Sequence, residues 1–232
     1  MAGSNNYFIW GEESFLIDQK IKEIHSKMQE ESGEEVELLY LDGDELSPPR
    51  LLEELEFSPL FSLQRMVVIK RPFWLGKSGR KLSRNEEILK VIQGYFQRET
   101  PGQTLVITAA EHNSSNALVK LLDKKAKVIE CKPANPKHLA DWIKAEFTAR
   151  GRKINTMGLS LMVKSGQDMY YLYNLIEKLS LVSEDKTISE KDIENQISSK
   201  DEIKVFKLTN ALLDRNLKAS FQAFYQLLEQ GE

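Results

Sequence analysis

The sequence is poor in the residues that build disulfides and metal sites. It has 1 cysteine and 3 histidines among 232 residues. Cys131 has no partner for an internal disulfide, and His25, His112 and His138 lie too far apart in the sequence to match the usual spacing of metal ligands. We therefore expect no metal site, and a reducing, cytoplasmic compartment.

Long apolar runs are missing as well. No stretch approaches the ~20 apolar residues that a membrane-spanning helix needs, and the first ten residues lack the basic and apolar regions of a signal peptide. A content of 41% apolar and 29% charged residues is instead typical of a globular protein with buried cores. The composition predicts a cytoplasmic protein that does not work in a membrane.

Charge is distributed unevenly along the chain, although the net charge is only -3. Residues 1–60 carry 4 Lys/Arg against 15 Asp/Glu, whereas residues 61–98 carry 9 against 2. Four of these cations lie close together in one segment: Lys77, Arg80, Lys81 and Arg84. Such a cluster can contact DNA or an acidic partner, but it is also typical of a solvated loop.

Segments of strand length alternate with helical periodicities through residues 1–132. The predicted strands are 7–10, 36–41, 66–69, 104–108 and 127–130. Strands that alternate with helices form mostly parallel, doubly wound sheets with helices on both faces. Residues 1–132 are therefore predicted to form an α/β domain around a parallel sheet.

The pattern changes after a polar linker with two prolines. Residues 133–200 contain four helical periodicities and no long strand, so they predict a small all-helical domain. Residues 201–232 contain two more helices with strongly apolar faces. Because such a helical pair needs further partners to bury its faces, we expect these residues to be the start of a truncated third domain.

The turn after the first strand is where a nucleotide-binding fold keeps its phosphate loop. A working loop has the form G-x-x-x-x-G-K-[ST]. From Gly11 onwards, Leu16 replaces the second glycine, Ile17 replaces the phosphate-binding lysine, and Asp18 stands in the Ser/Thr position. The motif is therefore degenerate.

Two further features oppose nucleotide binding. Glu12 and Glu13 add negative charge where phosphates would lie, just before Ser14, which we expect to cap the helix that follows. The acidic residue that holds Mg²⁺ in P-loop enzymes follows a buried strand, but here Lys70 and Arg71 follow the best candidate strand. We expect a protein without a catalytic site, nucleotide cofactor or metal.

An apolar pair stands in a turn between a predicted helix and the strand at 66–69. The turn contains Ser58, Pro59, Leu60 and Phe61. Turns are usually exposed, so the two large side chains either fold back into the core or bind a partner. The chemistry of the residues alone leaves both interpretations open.

Taken in order, these segments resemble the delta subunits of the bacterial DNA polymerase III clamp loader. The segments that carry the resemblance are 7–16, 58–62 leading into 65–69, 104–107, 172–179 followed by 187–189, and 206–231. Each motif is short, and the order and spacing of the set make the resemblance specific.

The resemblance implies a fold and a function. The fold would be an α/β P-loop NTPase-like domain of AAA+ type with a parallel sheet (1–132), a helical lid-type domain (133–200) and the start of a helical collar domain (201–232). The function would be to bind the sliding clamp, the beta subunit, and to open its ring for loading on DNA without hydrolysing ATP. The collar would join other clamp-loader subunits, and the assembly would act on primed DNA.

The family's clamp-binding Leu-Phe pair corresponds to Leu60 and Phe61, with Ser58 and Pro59 in the same turn. Pro59 departs from the small residue expected there. Two other hypotheses remain: an active P-loop ATPase or kinase, and a stand-alone DNA-binding module that uses the basic cluster at 77–84. A titration with ATP and Mg²⁺ tests the ATPase or kinase hypothesis, and a salt-dependent DNA titration tests the DNA-binding hypothesis.

Overall fold

A computed structural model of the chain contains two units, residues 1–133 and residues 134–232. The residues that the structure describes are 6–56, 64–76, 82–98, 100–132, 135–182, 186–196, 208, 211–212 and 216–228. Each unit buries its own apolar residues.

Five parallel strands form the centre of the first unit. They are β1 (Tyr7–Trp10), β2 (Glu37–Asp42), β3 (Arg65–Lys70), β4 (Gln103–Ala109) and β5 (Lys127–Glu130). Their order across the sheet is β2-β3-β4-β1-β5. Every residue of β4 is buried, as are four of the six in β3, because strands covered on both faces have no polar side. The predicted parallel sheet is confirmed.

Helices cover both faces of this sheet. The first unit contains α1 (Ser14–Ser32), α2 (Pro48–Leu55), α3 (Leu82–Gln97) and α4 (Ala117–Lys125). On one face, Ile17 and Ile21 of α1 pack against Ile9 and Val106 of the strands. On the other face, α2, α3 and α4 share a core with the remaining strand residues and the buried Trp74. Alternate residues of β1, β2, β3 and β4 thus enter separate cores.

The start of α1 differs from the sequence expectation. Ser14 was expected to cap this helix, but the capping residue is Glu13, whose carboxylate accepts a hydrogen bond from the Phe15 amide at 3.2 Å. The helix ends at Gly33, which adopts the left-handed conformation (φ 69°) that favours glycine. An acidic cap is favourable because the helix dipole is positive at this end.

The second unit is mainly helical. Its elements are α5 (Pro136–Ala149), β6 (Lys153–Ile154), α6 (Thr156–Lys164), α7 (Met169–Val182), β7 (Thr187–Ile188), α8 (Glu190–Gln196) and α9 (Leu217–Leu228). The core includes Phe147, Met162, Leu172 and Ile176. The pattern predicts the helices but not β6 and β7, which pair in parallel.

The later helices leave one prediction untested. α9 is present, and Phe221 and Phe224 are exposed on its surface by 59% and 45%. Residues 201–207, where a third domain was expected to begin, lie outside the described residues, so that boundary stays a prediction. None of the described helices is long and apolar enough to cross a membrane.

A reciprocal cap precedes α8. The Asp192 carboxylate accepts hydrogen bonds at 2.7 Å from both the amide and the hydroxyl of Ser189, and the Ser189 hydroxyl accepts one from the Asp192 amide at 3.4 Å. The hydrogen bonds from Ser189 lower the pKa of Asp192. The carboxylate form is therefore favoured in the folded chain.

We predict that Asp192→Ala lowers the free energy of unfolding by about 1 kcal/mol near pH 7, the usual contribution of a cap. A lowered pKa in the folded state stabilises the protein above about pH 4, where an unfolded aspartate is ionised, and this stability is lost as the pH falls through the folded pKa. Urea unfolding of both proteins across this range measures the effect. A difference that grows at acid pH would contradict it.

Candidate functional site

The carboxyl ends of the parallel strands form the candidate site, as is usual for open α/β sheets. A cleft of about 230 Å³ lies there between α1 and the ends of β3 and β4. Its lining residues are Ser14, Ile17, Asp18, Lys70, Arg71 and Thr108. We call it the carboxyl-edge cleft. It contains the residues that replace the phosphate-loop lysine and hydroxyl in the sequence, so its geometry bears directly on nucleotide binding.

Gly11 is required by the conformation and close packing of the backbone after β1. Its φ is 153° and its amide donates to the Ala109 carbonyl at 3.0 Å. A Cβ atom at this position would lie 2.0 Å from the carbonyl oxygen of Cys131, so only glycine fits. The amide that a phosphate loop would turn toward the nucleotide is already engaged within the sheet.

The turn after Gly11 is also short. α1 begins at Ser14, so only Glu12 and Glu13 separate the glycine from the helix. Leu16 and Ile17 consequently lie within the helix, and Ile17 is 3% exposed and packed in the core. An apolar side chain therefore stands where a P-loop enzyme has the lysine that reaches the phosphates.

The amino end of α1 is occupied by the chain itself. Helix amino ends bind phosphate because their free amides and dipole attract anions. Here the Glu13 carboxylate fills that role through its hydrogen bond with the Phe15 amide. An incoming phosphate would have to displace this carboxylate and would meet its negative charge.

The charges in the cleft are reversed relative to a P-loop enzyme. The acid, Asp18, lies on the helix, and the cation, Lys70, lies at the end of β3. Their side chains form an ion pair at 3.1 Å. The Lys70 ammonium also lies 4.7 Å from the centre of the Tyr40 ring, a cation–π contact. The carboxylate at the Ser/Thr position is thus neutralised by the chain's own lysine.

Arg71 lines the cleft next to this pair. Its backbone is in the left-handed region with φ 40°, an unusual conformation for a residue other than glycine. The amide donates to the Thr108 hydroxyl at 3.0 Å, and the guanidinium donates to the Ser14 hydroxyl. The Ser14 hydroxyl is therefore engaged as well. The cleft presents a set of mutually paired groups.

The described residues offer little support for a metal site or for a reactive histidine or cysteine. Among the described residues, no group of three or more His, Cys, Asp or Glu side chains is placed to hold a metal ion. His112 lies 2.9 Å from the Asp123 carboxylate and packs against the Trp10 ring. Burial raises the pKa of the Cys131 thiol, which disfavours the reactive thiolate.

The remaining predicted site residues fall largely outside the described part of the chain. Those whose placement is not described are Ser58, Pro59, Leu60, Phe61, Lys77, Arg80 and Lys81. Arg84 lies in α3, but its side chain is not described either. The roles of the apolar pair and of the basic cluster therefore stay predictions.

The ion pair between Asp18 and Lys70 is not evident from the sequence. Both residues were noted as departures from a P-loop motif, but their contact joins positions that are 52 residues apart. The available signal was the reversal of sign at two positions that meet at the same edge of the sheet. An acid on the helix together with a cation after β3 predicts a pair.

A sheet of this order with helices on both faces defines a P-loop NTPase-like fold of the AAA+ type. A Thermotoga maritima RuvB variant shares it with a TM-score of 0.50 and 13% identity, over 82% of this chain and 61% of that one. The likeness extends to the fold only. The altered loop and reversed charges distinguish this chain from members of the class that bind nucleotide through the motif.

The family model for the DNA polymerase III delta subunit matches residues 7–132, and the chain belongs to this family. It is 23% identical to the DNA polymerase III subunit delta of Bacillus subtilis (strain 168) over 230 residues, which cover 97% of this chain and 66% of that protein. The solved B. subtilis DNA clamp loader delta protein has a TM-score of 0.70 and 22% identity, over 99% of this chain and 69% of that one.

We predict that the chain does not bind ATP measurably. The lysine position is apolar, the helix end carries a carboxylate, and the cleft cation is paired with Asp18. Titration with a fluorescent ATP analogue and Mg²⁺ measures this, with an intact P-loop ATPase as the positive control. A Mg²⁺-dependent dissociation constant in the micromolar range, displaced by unlabelled ATP, would contradict the prediction.

Proposed function

We propose that this chain is a noncatalytic clamp-loader subunit. It binds the sliding clamp of the replicative polymerase and holds the ring open at one interface while ATP is consumed by neighbouring subunits. Family membership supports the replication role, and the solved relative is named a clamp loader protein. The proposal that the chain is noncatalytic is supported by the reversed and paired charges in the carboxyl-edge cleft.

The proposed clamp contact is made by Leu60 and Phe61. They belong to a segment that follows α2 and precedes β3, so it connects to the amino end of β3. The carboxyl-edge cleft lies at the other end of the same strand, roughly 17 Å away at ~3.3 Å per residue. The topology thus separates the start of β3, to which this segment connects, from the cleft at the end of the strand. Clamp binding would not require the cleft to be occupied.

The elements next to this segment are well anchored. Leu51 and Leu55 of α2 are at most 4% exposed, and Met66 of β3 is fully buried. An aromatic and an aliphatic side chain between two anchored elements can act as the apolar anchors of a binding interface. In the complete assembly we expect residues after 200 to contact other clamp-loader subunits, and primed DNA to bind within the assembly.

We predict that the double variant Leu60→Ala, Phe61→Ala loses clamp binding and keeps its fold. Each truncated anchor costs roughly 2 kcal/mol or more of binding free energy, which amounts to about a thousandfold loss of affinity at ~1.4 kcal/mol per factor of ten. Calorimetric titration with the sliding clamp of the same organism measures it. Leu52→Ala, which truncates an apolar side chain of α2 that is 37% exposed, is the control.

The alternative is that the pair belongs to the core. In that case Phe61→Ala alone would lower the free energy of unfolding by roughly 3 to 5 kcal/mol. Thermal unfolding of the same preparations separates the two cases. A large fall in melting temperature, or clamp affinity equal to that of the Leu52 control, would refute the assignment of Leu60 and Phe61.

A further inference from the structure

A second cleft lies at the carboxyl ends of β3 and β4, where open α/β sheets usually bind their ligands. Its volume is about 260 Å³. The lining comes from the chain after β3 and from the end of β4 with the residues that follow it. Most of these residues are apolar: Pro72, Phe73, Leu75, Ala109 and Ala110. Arg71 lines both this cleft and the carboxyl-edge cleft. We call the second one the Arg71 cleft.

The loop that forms one side of the Arg71 cleft, residues 71–76, is fixed by hydrogen bonds from two other segments. The Phe73 amide donates to the Asp44 carboxylate at 2.8 Å. The Asn116 side-chain amide donates to the Trp74 carbonyl at 2.8 Å. A surface that is already ordered loses little conformational entropy when a partner binds to it.

The backbone on either side of Arg71 is also held in place. Pro72 packs so closely against Gly43 that a Cβ atom at the glycine would lie 2.3 Å from the proline Cβ. The Arg71 amide donates to the hydroxyl of Thr108, which is buried. These contacts keep Arg71 in the left-handed region at φ 40°. Strained backbone of this kind is concentrated at binding and catalytic sites.

Among the described residues, no carboxylate is ion-paired with Arg71. The neighbouring Lys70 is paired with Asp18, whereas the Arg71 guanidinium donates to the neutral hydroxyl of Ser14. A guanidinium has several N–H donors, so this one hydrogen bond leaves donors for a ligand. The Arg71 cleft thus combines an apolar wall with a cation whose charge is not balanced.

We propose that the Arg71 cleft binds an acidic side chain of another protein, with an apolar neighbour of that side chain packed on the apolar wall. A guanidinium matches a carboxylate through two parallel hydrogen bonds. The volume is below the roughly 300 Å³ at which pockets begin to enclose drug-sized ligands, so a side chain fits better than a nucleotide. Glu111 also lines the cleft, and its charge opposes a dianionic phosphate more than a single carboxylate.

The proposed interface is separate from the proposed clamp contact. It uses the carboxyl edge of the sheet, and none of its residues belongs to the connection between α2 and β3. If Leu60 and Phe61 prove not to bind the clamp, the inference about the Arg71 cleft is unaffected. The two proposals therefore fail independently.

The experiment titrates the ¹⁵N-labelled 232-residue chain with the peptide N-acetyl-Leu-Glu-Leu-amide and follows the backbone amide signals by NMR. The control peptide is N-acetyl-Leu-Gln-Leu-amide, which has the same shape without the charge. We expect the glutamate peptide to shift the amides of residues 73–76 and 109–111. The glutamine peptide should bind about tenfold more weakly, because a charge-assisted hydrogen bond is lost.

Two variants test whether Arg71 makes the contact. Arg71→Asn removes the charge, and asparagine tolerates the left-handed backbone, so the loop should keep its conformation. We expect about a tenfold loss of affinity for the glutamate peptide. Arg98→Asn is the control, because Arg98 is 52% exposed and lies in the connection that enters the amino end of β4. Its affinity should equal that of wild type.

Three results would overturn the inference. The first is equal binding of the glutamate and glutamine peptides to wild type, or no binding of either. The second is equal affinity of Arg71→Asn and Arg98→Asn for the glutamate peptide, with both variants folded by circular dichroism. The third is tighter binding of inorganic phosphate than of the glutamate peptide. If Arg71→Asn does not fold, Arg71→Lys replaces it, and we expect about a threefold loss because lysine lacks the forked geometry.

Discussion

The ion pair between Asp18 and Lys70 is the interaction on which this account of the molecule depends. Both side chains are partly exposed, at 34% and 45%, so the pair contributes little to stability, on the order of 0 to 1 kcal/mol. Its importance lies in what it excludes. Asp18 stands where a P-loop protein has a free hydroxyl, and Lys70 ends the strand where such a protein has its metal-holding acid. The lysine position itself is taken by buried Ile17, and the Glu13 cap supplies the anion that the helix end would otherwise attract.

Strand β3 carries an ion-paired cation at each of its ends. β3 begins at Arg65, which pairs with Glu54 of α2, and ends at Lys70, which pairs with Asp18 in the cleft. Because its interior residues are buried on both faces, the strand is a rigid connection between the two edges. The chain thus keeps the architecture of a nucleotide-binding domain, and under the proposed function its clamp contact requires no nucleotide.

Much of the first unit could be predicted from the sequence because its strands are short apolar runs bounded by polar residues. The cap of α1 was assigned wrongly because Ser14 is a common capping residue, whereas Glu13, one position earlier, makes the hydrogen bond. β6 and β7 have two residues each, too few to show a periodicity. The Asp18–Lys70 pair could not be derived from local patterns, since it joins residues 52 positions apart on different elements.

The most direct test of the central claim is the affinity of the chain for the sliding clamp measured with and without ATP and Mg²⁺. Because the groups of the carboxyl-edge cleft are paired with one another, the proposed function predicts the same dissociation constant under both conditions. A dissociation constant that changes several-fold when ATP and Mg²⁺ are added, and returns when they are removed, would contradict the account.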